Sequence, residues 1–200
     1  MISLLNFFNF RCKSFGMNQQ SDHFPVLGID DFRKDPSLNS NLLFNELFGE
    51  RAIDHPHKHD FFIINIFERG KGSHTIDFVD YEIKNKQIHL VFPDQVHQWK
   101  IEPGTIGYQL MISRNWFESL VPTLRFSASI YQNHPVIDLS KNHFTIILYE
   151  FKAIQEALKE EHVFWEIIQK RSEVIGLLIS KAVESIFNND EQFHSNPVFS

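Results

Sequence analysis

The chain has 200 residues, of which 42% are hydrophobic and 21 are Phe, so it can build one packed domain and is not a disordered chain. The formal net charge of −6 opposes the broad basic surface that nucleic-acid binding uses. The single cysteine, Cys12, excludes an internal disulfide framework and fits a reducing compartment, so we expect a cytoplasmic protein.

The first forty residues are predicted to form a flexible extension and arm. The opening MISLLNFFNF is apolar, but it has no basic start and no small-residue cleavage site, and it is too short to cross a bilayer. Met17 is therefore an alternative start, and no membrane segment is expected. The polar stretch that follows contains one short extended piece, around Phe24 to Ile29.

Residues 41–135 alternate short apolar segments with turns. The predicted strands are Asn41 to Phe48, Phe61 to Phe67, His74 to Val79, Tyr81 to Ile83, Ile88 to Phe92, Gln98 to Glu102 and Ile106 to Ile112. Gly- or Pro-containing turns, such as those at 69–72 and 102–104, separate several of them. Short strands at this spacing favour a sandwich or barrel over βαβ units. A short helix is predicted from Asn115 to Leu120.

One face of the predicted barrel carries the candidate binding residues. Side chains two apart in an extended chain point the same way, so the odd-numbered residues from His57 to Arg69 are predicted to share a face. His97 and Trp99 form a second such pair. The candidate ligand-binding residues are His57, His59, Phe61, Asn65, Arg69, His97 and Trp99.

Residues 136–188 are predicted to form two amphipathic helices. Ser140 can cap the first, whose stripe is Phe144, Ile147, Phe151, Ile154 and Leu158. The second helix runs from about Phe164 to Phe187, and Ile167, Val174 and Leu177 widen its stripe. Because the barrel can shield only part of both stripes, we expect a homodimer. The expected interface residues are Ile168, Ile175, Leu178 and Ala182, and residues 189–200 are a tail.

The histidine spacing resembles the cupin family, whose first motif reads G-x5-H-x-H-x3-E-x6-G. His57, His59 and Gly70 match this motif, whereas Ile63 stands at the glutamate position. The second cupin motif matches mainly at His97. The resemblance implies a mainly β, double-stranded β-helix (jelly-roll) barrel whose usual metal site has lost its carboxylate.

A closer resemblance is to the amino-terminal sensor domain of AraC-type transcription regulators. It is carried by the segments PHKHDFF at 56–62, GKGSHTID at 70–77 and PDQVHQW at 93–99, in that order and spacing. The resemblance implies a small-molecule sensor that dimerises through its carboxy-terminal helices, with Arg69, His97 and Trp99 facing the ligand. It also implies an arm that can fold over the ligand mouth, although a tail that merely lies on the surface is an equally good interpretation.

Two functions stay open. The first is a sensor for a small polar organic effector such as a sugar, with no cofactor and no direct DNA contact, because no recognition helix follows Phe187. The second is a metal-dependent cupin enzyme, an isomerase or dioxygenase, with a divalent ion on His57, His59 and His97. Ile63 and the two-helix tail favour the first. A barrel filled solidly by Phe61 and Trp99 is the structural alternative to either site.

Overall fold

The computed structural model describes residues 24–33 and 41–187. The predictions for Cys12, for Met17 and for the tail at 189–200 lie outside these residues. Among the described residues, none of the helices combines the length and the apolarity that a membrane crossing requires.

Two five-stranded sheets face each other and form the barrel. The first sheet has the order β1 (Val26–Leu27), β3 (Arg51–His59), β8 (His97–Ile101), β5 (Gly72–Ile76) and β6 (Val79–Glu82). The second has the order β10 (Val136–Asp138), β7 (Gln87–Val91), β4 (Phe62–Arg69), β9 (Ile106–Ile112) and β2 (Leu42–Phe48). This is the predicted mainly β, cupin-like jelly roll.

As far as Phe187, four α-helices follow β9, together with a 3-10 turn at Val121–Thr123. They are α1 (Arg114–Leu120), α2 (Ala128–Asn133), α3 (Lys141–Ala157) and α4 (Trp165–Phe187). Ser140 caps α3 as predicted, because its side chain accepts a hydrogen bond from the backbone N–H of His143. The short helix α2 was not predicted from the sequence, and strand β10 lies at the start of residues 136–188, which were predicted to be helical. The domain boundaries at 41, 136 and 189 stay predictions.

The helices cover the outer face of the second sheet. Every residue from Phe62 to Phe67 in β4 is buried, since one face of this strand lies against α1, α3 and α4 and the other faces the barrel interior. The outward side chains Phe62, Ile64 and Ile66 join a core with Phe151 of α3 and Ile175 of α4. Burying each such side chain contributes about 1.5–3 kcal/mol to folding, so α3 and α4 are part of the core.

This packing corrects the predicted dimer interface. Ile168, Ile175 and Ala182 are at most 1% exposed inside a single chain, and Leu178 is partly buried against the same core. The apolar stripe of α4 therefore faces its own barrel. The residues that widened this stripe, Ile167 and Leu177, are 50% and 49% exposed.

The odd-numbered residues from His57 to Arg69 were predicted to share one face of an extended segment, and this is wrong. Strand β3 ends at His59, the chain turns, and strand β4 begins at Phe62. His57 and His59 therefore belong to the first sheet, whereas Phe61 and Asn65 lie on the side of the second. Both groups still point into the interior, because the two sheets face each other.

Candidate functional site

The barrel interior is built in layers that the strand register fixes. One apolar layer contains Ile63, Val91 and Met111, and another contains Leu47 and Phe67. Between them lies a row of four polar residues on adjacent strands, which we call the polar row. Its members are Asn45, Gln109, Asn65 and His89. Polar side chains at the centre of a barrel cost stability unless they are partnered, so this layer is the candidate site.

Three histidines of the first sheet meet at one end of the polar row. His57 pairs with His97 across β3 and β8, and His59 lies two residues further along β3. One ring nitrogen from each of His57, His59 and His97 lies within 4.8 Å of the other two. All three rings are at most 2% exposed. The structure therefore brings together the three histidines that the sequence singled out, and it buries them.

Two more histidines continue this group into a hydrogen-bonded chain across the barrel. His59 Nε2 lies 2.6 Å from His97 Nε2, and His97 Nδ1 lies 2.9 Å from His74 Nε2. His74 Nδ1 lies 3.0 Å from His89 Nδ1, which joins the first sheet to the polar row. His89 Nε2 then lies 3.1 Å from Gln87 Oε1. We call these four histidines, together with Gln87, the histidine chain.

Burial keeps these rings neutral at ordinary pH. Removal from water lowers the pKa of His89 to about 3, and removal from water together with the neighbouring His57 lowers the pKa of His59 to about 3. Burial, followed by the other histidines, holds the pKa of His74 and His97 well below the usual value. Burial also lowers the pKa of His57, although its hydrogen bond to the His55 carbonyl opposes the shift.

Several predicted site residues carry buried polar atoms with no partner. Among residues 24–33 and 41–187, no hydrogen-bond partner exists for His57 Nε2, His59 Nδ1, both side-chain polar atoms of Asn65, or Trp99 Nε1. An unpaired buried polar atom costs about 1–3 kcal/mol. Four of the seven predicted ligand residues therefore present groups that a bound ligand would satisfy.

Arg69 was also predicted to point into the barrel, and this orientation is wrong. The register between β4 and β9 shifts between Phe67 and Arg69, where an extra residue, Glu68, interrupts the alternation. Glu68 points toward the helices and pairs with Lys152 at 2.9 Å. Arg69 is exposed at the end of β4 and lies outside the buried site.

The amino-terminal arm lies over the histidine end of the site. Strand β1 pairs in parallel with β3, with Val26 opposite Lys58 and Leu27 opposite His59. In the following 3-10 turn, Ile29–Phe32, the Ile29 side chain is buried in the barrel core beside Phe61. The Phe32 ring meets Phe61 and His59 edge-on, at centroid distances of 5.6 and 6.2 Å. The arm therefore contacts two predicted ligand residues directly.

A divalent metal is compatible with the three histidine donors, although not with a usual cupin ligand set. Neutral imidazoles suit Zn²⁺, Fe²⁺, Ni²⁺ and Mn²⁺, and His57 Nδ1–H donates to the His55 carbonyl at 2.9 Å, which orients the ring as metal-binding histidines are oriented. Ile63 packs in the apolar layer where a carboxylate would be needed. Asp60 is exposed and Glu68 faces the helices, so neither completes the set.

Sequence reasoning missed three residues of the polar row. Asn45, Gln109 and His89 each stand in a mainly apolar strand, as in Ile88-His89-Leu90, and that polar position was the available signal. Asn45 Nδ2 donates to Gln109 Oε1 at 3.0 Å, so these two partner each other. His74 was not among the predicted site residues, because strand pairing across the two sheets cannot be deduced from its neighbours in sequence.

Solved structures with similar features include regulators and cupins. CuxR, an AraC-like transcriptional activator, is 12% identical with a TM-score of 0.48, over 79% of this chain and 64% of its own. ToxT from Vibrio cholerae, with an unsaturated fatty acid bound, is 16% identical with a TM-score of 0.42, over 81% and 58%. A cupin protein from Bacteroides fragilis is 23% identical with a TM-score of 0.30, over 36% and 64%.

This chain thus spans about two thirds or less of each of these three proteins. No curated protein matches it. The family model of the AraC-like ligand-binding domain matches residues 50–162, which is more than half of the chain and includes β3 to β9 with all three clustered histidines. The chain therefore belongs to the AraC-like ligand-binding domain family.

Proposed function

We propose that this chain is the effector-sensing and dimerisation part of a cytoplasmic AraC-type transcription regulator, and that it has no catalytic role. The observation that carries the proposal is the set of unpartnered polar atoms in the barrel, on His57, His59, Asn65 and Trp99. A solidly filled barrel would leave these atoms unsatisfied at a large cost. A small polar organic molecule bound between them would remove that cost.

The proposed site combines apolar walls with a few polar groups, as small-molecule sites commonly do. The Phe61 ring and the side chains of Ile63 and Met111 supply the walls. Trp99 Nε1–H can donate a hydrogen bond, while the amide of Asn65 can both donate and accept. A ligand with several hydroxyl or amide groups, such as a sugar derivative, suits this set.

We expect Asn65→Leu and Trp99→Phe each to weaken effector binding about tenfold, because each removes hydrogen bonds worth about 1–3 kcal/mol at a buried site. A thermal-shift screen of small polar metabolites identifies the effector, and calorimetry then measures Kd for the variants. Gln98→Ala is the matched control, since Gln98 lies between His97 and Trp99 on β8 but is only partly buried on the outer side of the strand. Unchanged affinity in both site variants would contradict the proposal.

The runner-up, a metal-dependent cupin enzyme, is supported by the three clustered histidines. Elemental analysis of untagged protein, purified without chelator, separates the two functions. Effector binding by protein that holds no stoichiometric metal supports the sensor. One equivalent of tightly bound transition metal, lost in both His57→Ala and His97→Ala, supports the enzyme.

We further propose that a second copy of the chain covers the exposed side of α3 and α4. The exposed apolar side chains there, which we call the outer stripe, are Ile146, Tyr149, Ile167, Val174 and Leu177. The three on α4 recur at steps of seven and three residues, which is the spacing of a helix–helix seam. Their exposure ranges from 39% to 64%, so a single chain leaves these five apolar side chains largely uncovered.

The double variant Ile167→Glu, Leu177→Glu is expected to be a monomer, because the charges would be buried in the interface. Light scattering at micromolar concentration measures the mass, and the unfolding temperature shows that the fold is intact. Val79→Glu is the control, since Val79 is 52% exposed but lies on β6, in the first sheet. A monomeric parent chain would disprove the proposed dimer.

A further inference from the structure

Gln87, at one end of the histidine chain, determines which ring nitrogen of each histidine carries hydrogen. Its Oε1 accepts from the backbone N–H of Lys84 at 2.7 Å, and its Nε2 donates to Asp138 Oδ1 at 2.9 Å. A backbone N–H can only donate, so the Gln87 atom that faces Lys84 is the amide oxygen and the orientation of the Gln87 amide is fixed. The ring atom that faces its oxygen, His89 Nε2, must therefore carry hydrogen.

This assignment propagates from ring to ring. A neutral imidazole carries one hydrogen, so His89 Nδ1 is an acceptor and His74 Nδ1 donates to it. His74 Nε2 is then an acceptor, and His97 Nδ1 donates to it. His97 Nε2 is left with a lone pair, so His59 Nε2 must donate to it. At the far end, His59 Nδ1 is a bare lone pair with no partner in the described parts of the chain.

A second bare nitrogen is fixed independently on the neighbouring ring, that of His57. His57 Nδ1 faces the carbonyl oxygen of His55, which only accepts, so the hydrogen lies on Nδ1. His57 Nε2 therefore carries a lone pair, and it too has no hydrogen-bond partner within 24–33 and 41–187. The centroids of the His57 and His59 rings are 4.9 Å apart.

We infer that the histidine chain makes this end of the site a hydrogen-bond acceptor, and that the ligand group bound against His57 and His59 is an amine or hydroxyl rather than a carboxylate. Gln87, His89 and His74 are then positioning residues, which act on the ligand through the proton order they impose on His97 and His59. The inference rests on the proposed sensing function, and it specifies the ligand chemistry of the same site. A carboxylate oxygen facing two lone pairs would be repelled and unsatisfied.

Nitrogen-15 NMR of the histidine side chains tests the proton order without any ligand, because protonated and bare ring nitrogens have well-separated shifts. We expect hydrogen on Nε2 of His59 and on Nδ1 of His57, His74 and His97. Gln87→Leu should abolish the single order, so that the His59 signals broaden or split. Gln95→Leu is the matched control, since Gln95 also bridges a backbone N–H and a carboxylate but lies outside the histidine chain. Hydrogen on His59 Nδ1 in the parent protein would overturn the inference, whether or not either variant folds.

A pair of probes tests the ligand chemistry. Phenylethylamine and phenylacetate have similar shapes and opposite end groups, and their rings suit the walls around Phe61. We expect the amine to shift the His57 and His59 signals saturably and to bind at least about tenfold more tightly than the acid. Equal or tighter binding of the acid, or no response to the amine, counts against the inference. An effector that binds through its own carboxylate at His57 would overturn it too, while leaving the sensing function intact.

Discussion

Acidification is expected to destabilise the domain strongly between pH 6.5 and pH 3. His89 in the unfolded chain binds a proton near its usual pKa of 6.5, whereas burial lowers its pKa in the folded chain to about 3. Within this window the unfolded state binds more protons, so the free energy of unfolding falls as pH falls. The loss for His89 alone is about 2 kcal/mol at pH 5. His59, whose folded pKa is also about 3, shifts stability in the same direction.

Within the described part of the chain, the contacts of the His89 ring include no carboxylate that would offset this effect by stabilising an added charge. Its ring stacks on the His74 ring at an interplanar angle of 6° and meets Phe67 edge-on, while Gln87 Oε1 accepts from its Nε2. Urea unfolding at several pH values measures the dependence. His89→Gln should be less stable at neutral pH but should lose about 2 kcal/mol less on acidification to pH 5. Equal stability at pH 7.5 and pH 5 would contradict the neutral histidine chain.

Gly72→Ala should be among the most damaging single substitutions in the barrel. Gly72 begins β5 with a φ of +120°, which side-chain-bearing residues rarely adopt. An added Cβ would lie 2.0 Å from the backbone oxygen of Lys100 on β8, so the two strands would have to separate. Backbone strain and overpacking each cost about 1–3 kcal/mol, so we expect a loss of roughly 3 kcal/mol or more.

Gly104→Ala is the matched control for this substitution. Gly104 has a φ of +88° but no atom within 4 Å of an added Cβ, so only the backbone strain applies. Its cost should be about 1 kcal/mol. Urea unfolding compares the two variants with the parent. A Gly72→Ala variant as stable as Gly104→Ala would show that β5 and β8 can separate without loss.

The fold was predictable because its signals are local. Alternation located β2, β4, β7 and β9, and the stripe from Phe144 to Leu158 located α3. The turn between β3 and β4 was not located, because Asp60-Phe61 carries neither Gly nor Pro and the histidines continue the alternation through it. Short elements such as β10 are defined by their pairing with β7, which is a long-range contact.

The site was predictable only in part, for a similar reason. His57, His59 and His97 were located by their spacing, and the structure places them together. Arg69 was assigned by alternation, which a single extra residue, Glu68, is enough to reverse. Gln87 carries no sequence signal of its own, since its role depends on Lys84, His89 and Asp138 meeting around it.

The arm over the histidine end has a kinetic consequence. Its backbone is held to β3 by hydrogen bonds from Lys58 N–H to the Pro25 carbonyl and from Asp60 N–H to the Leu27 carbonyl. Because this pairing is short, the arm can detach from β3 locally, at a free-energy cost that is a small fraction of that of global unfolding. Suppose that a ligand enters and leaves only while the arm is open, and that closure of the arm adds no binding energy. The association and dissociation rate constants then fall by the same factor, and Kd is unchanged. The response time of the sensor would then be set by the arm, separately from its sensitivity.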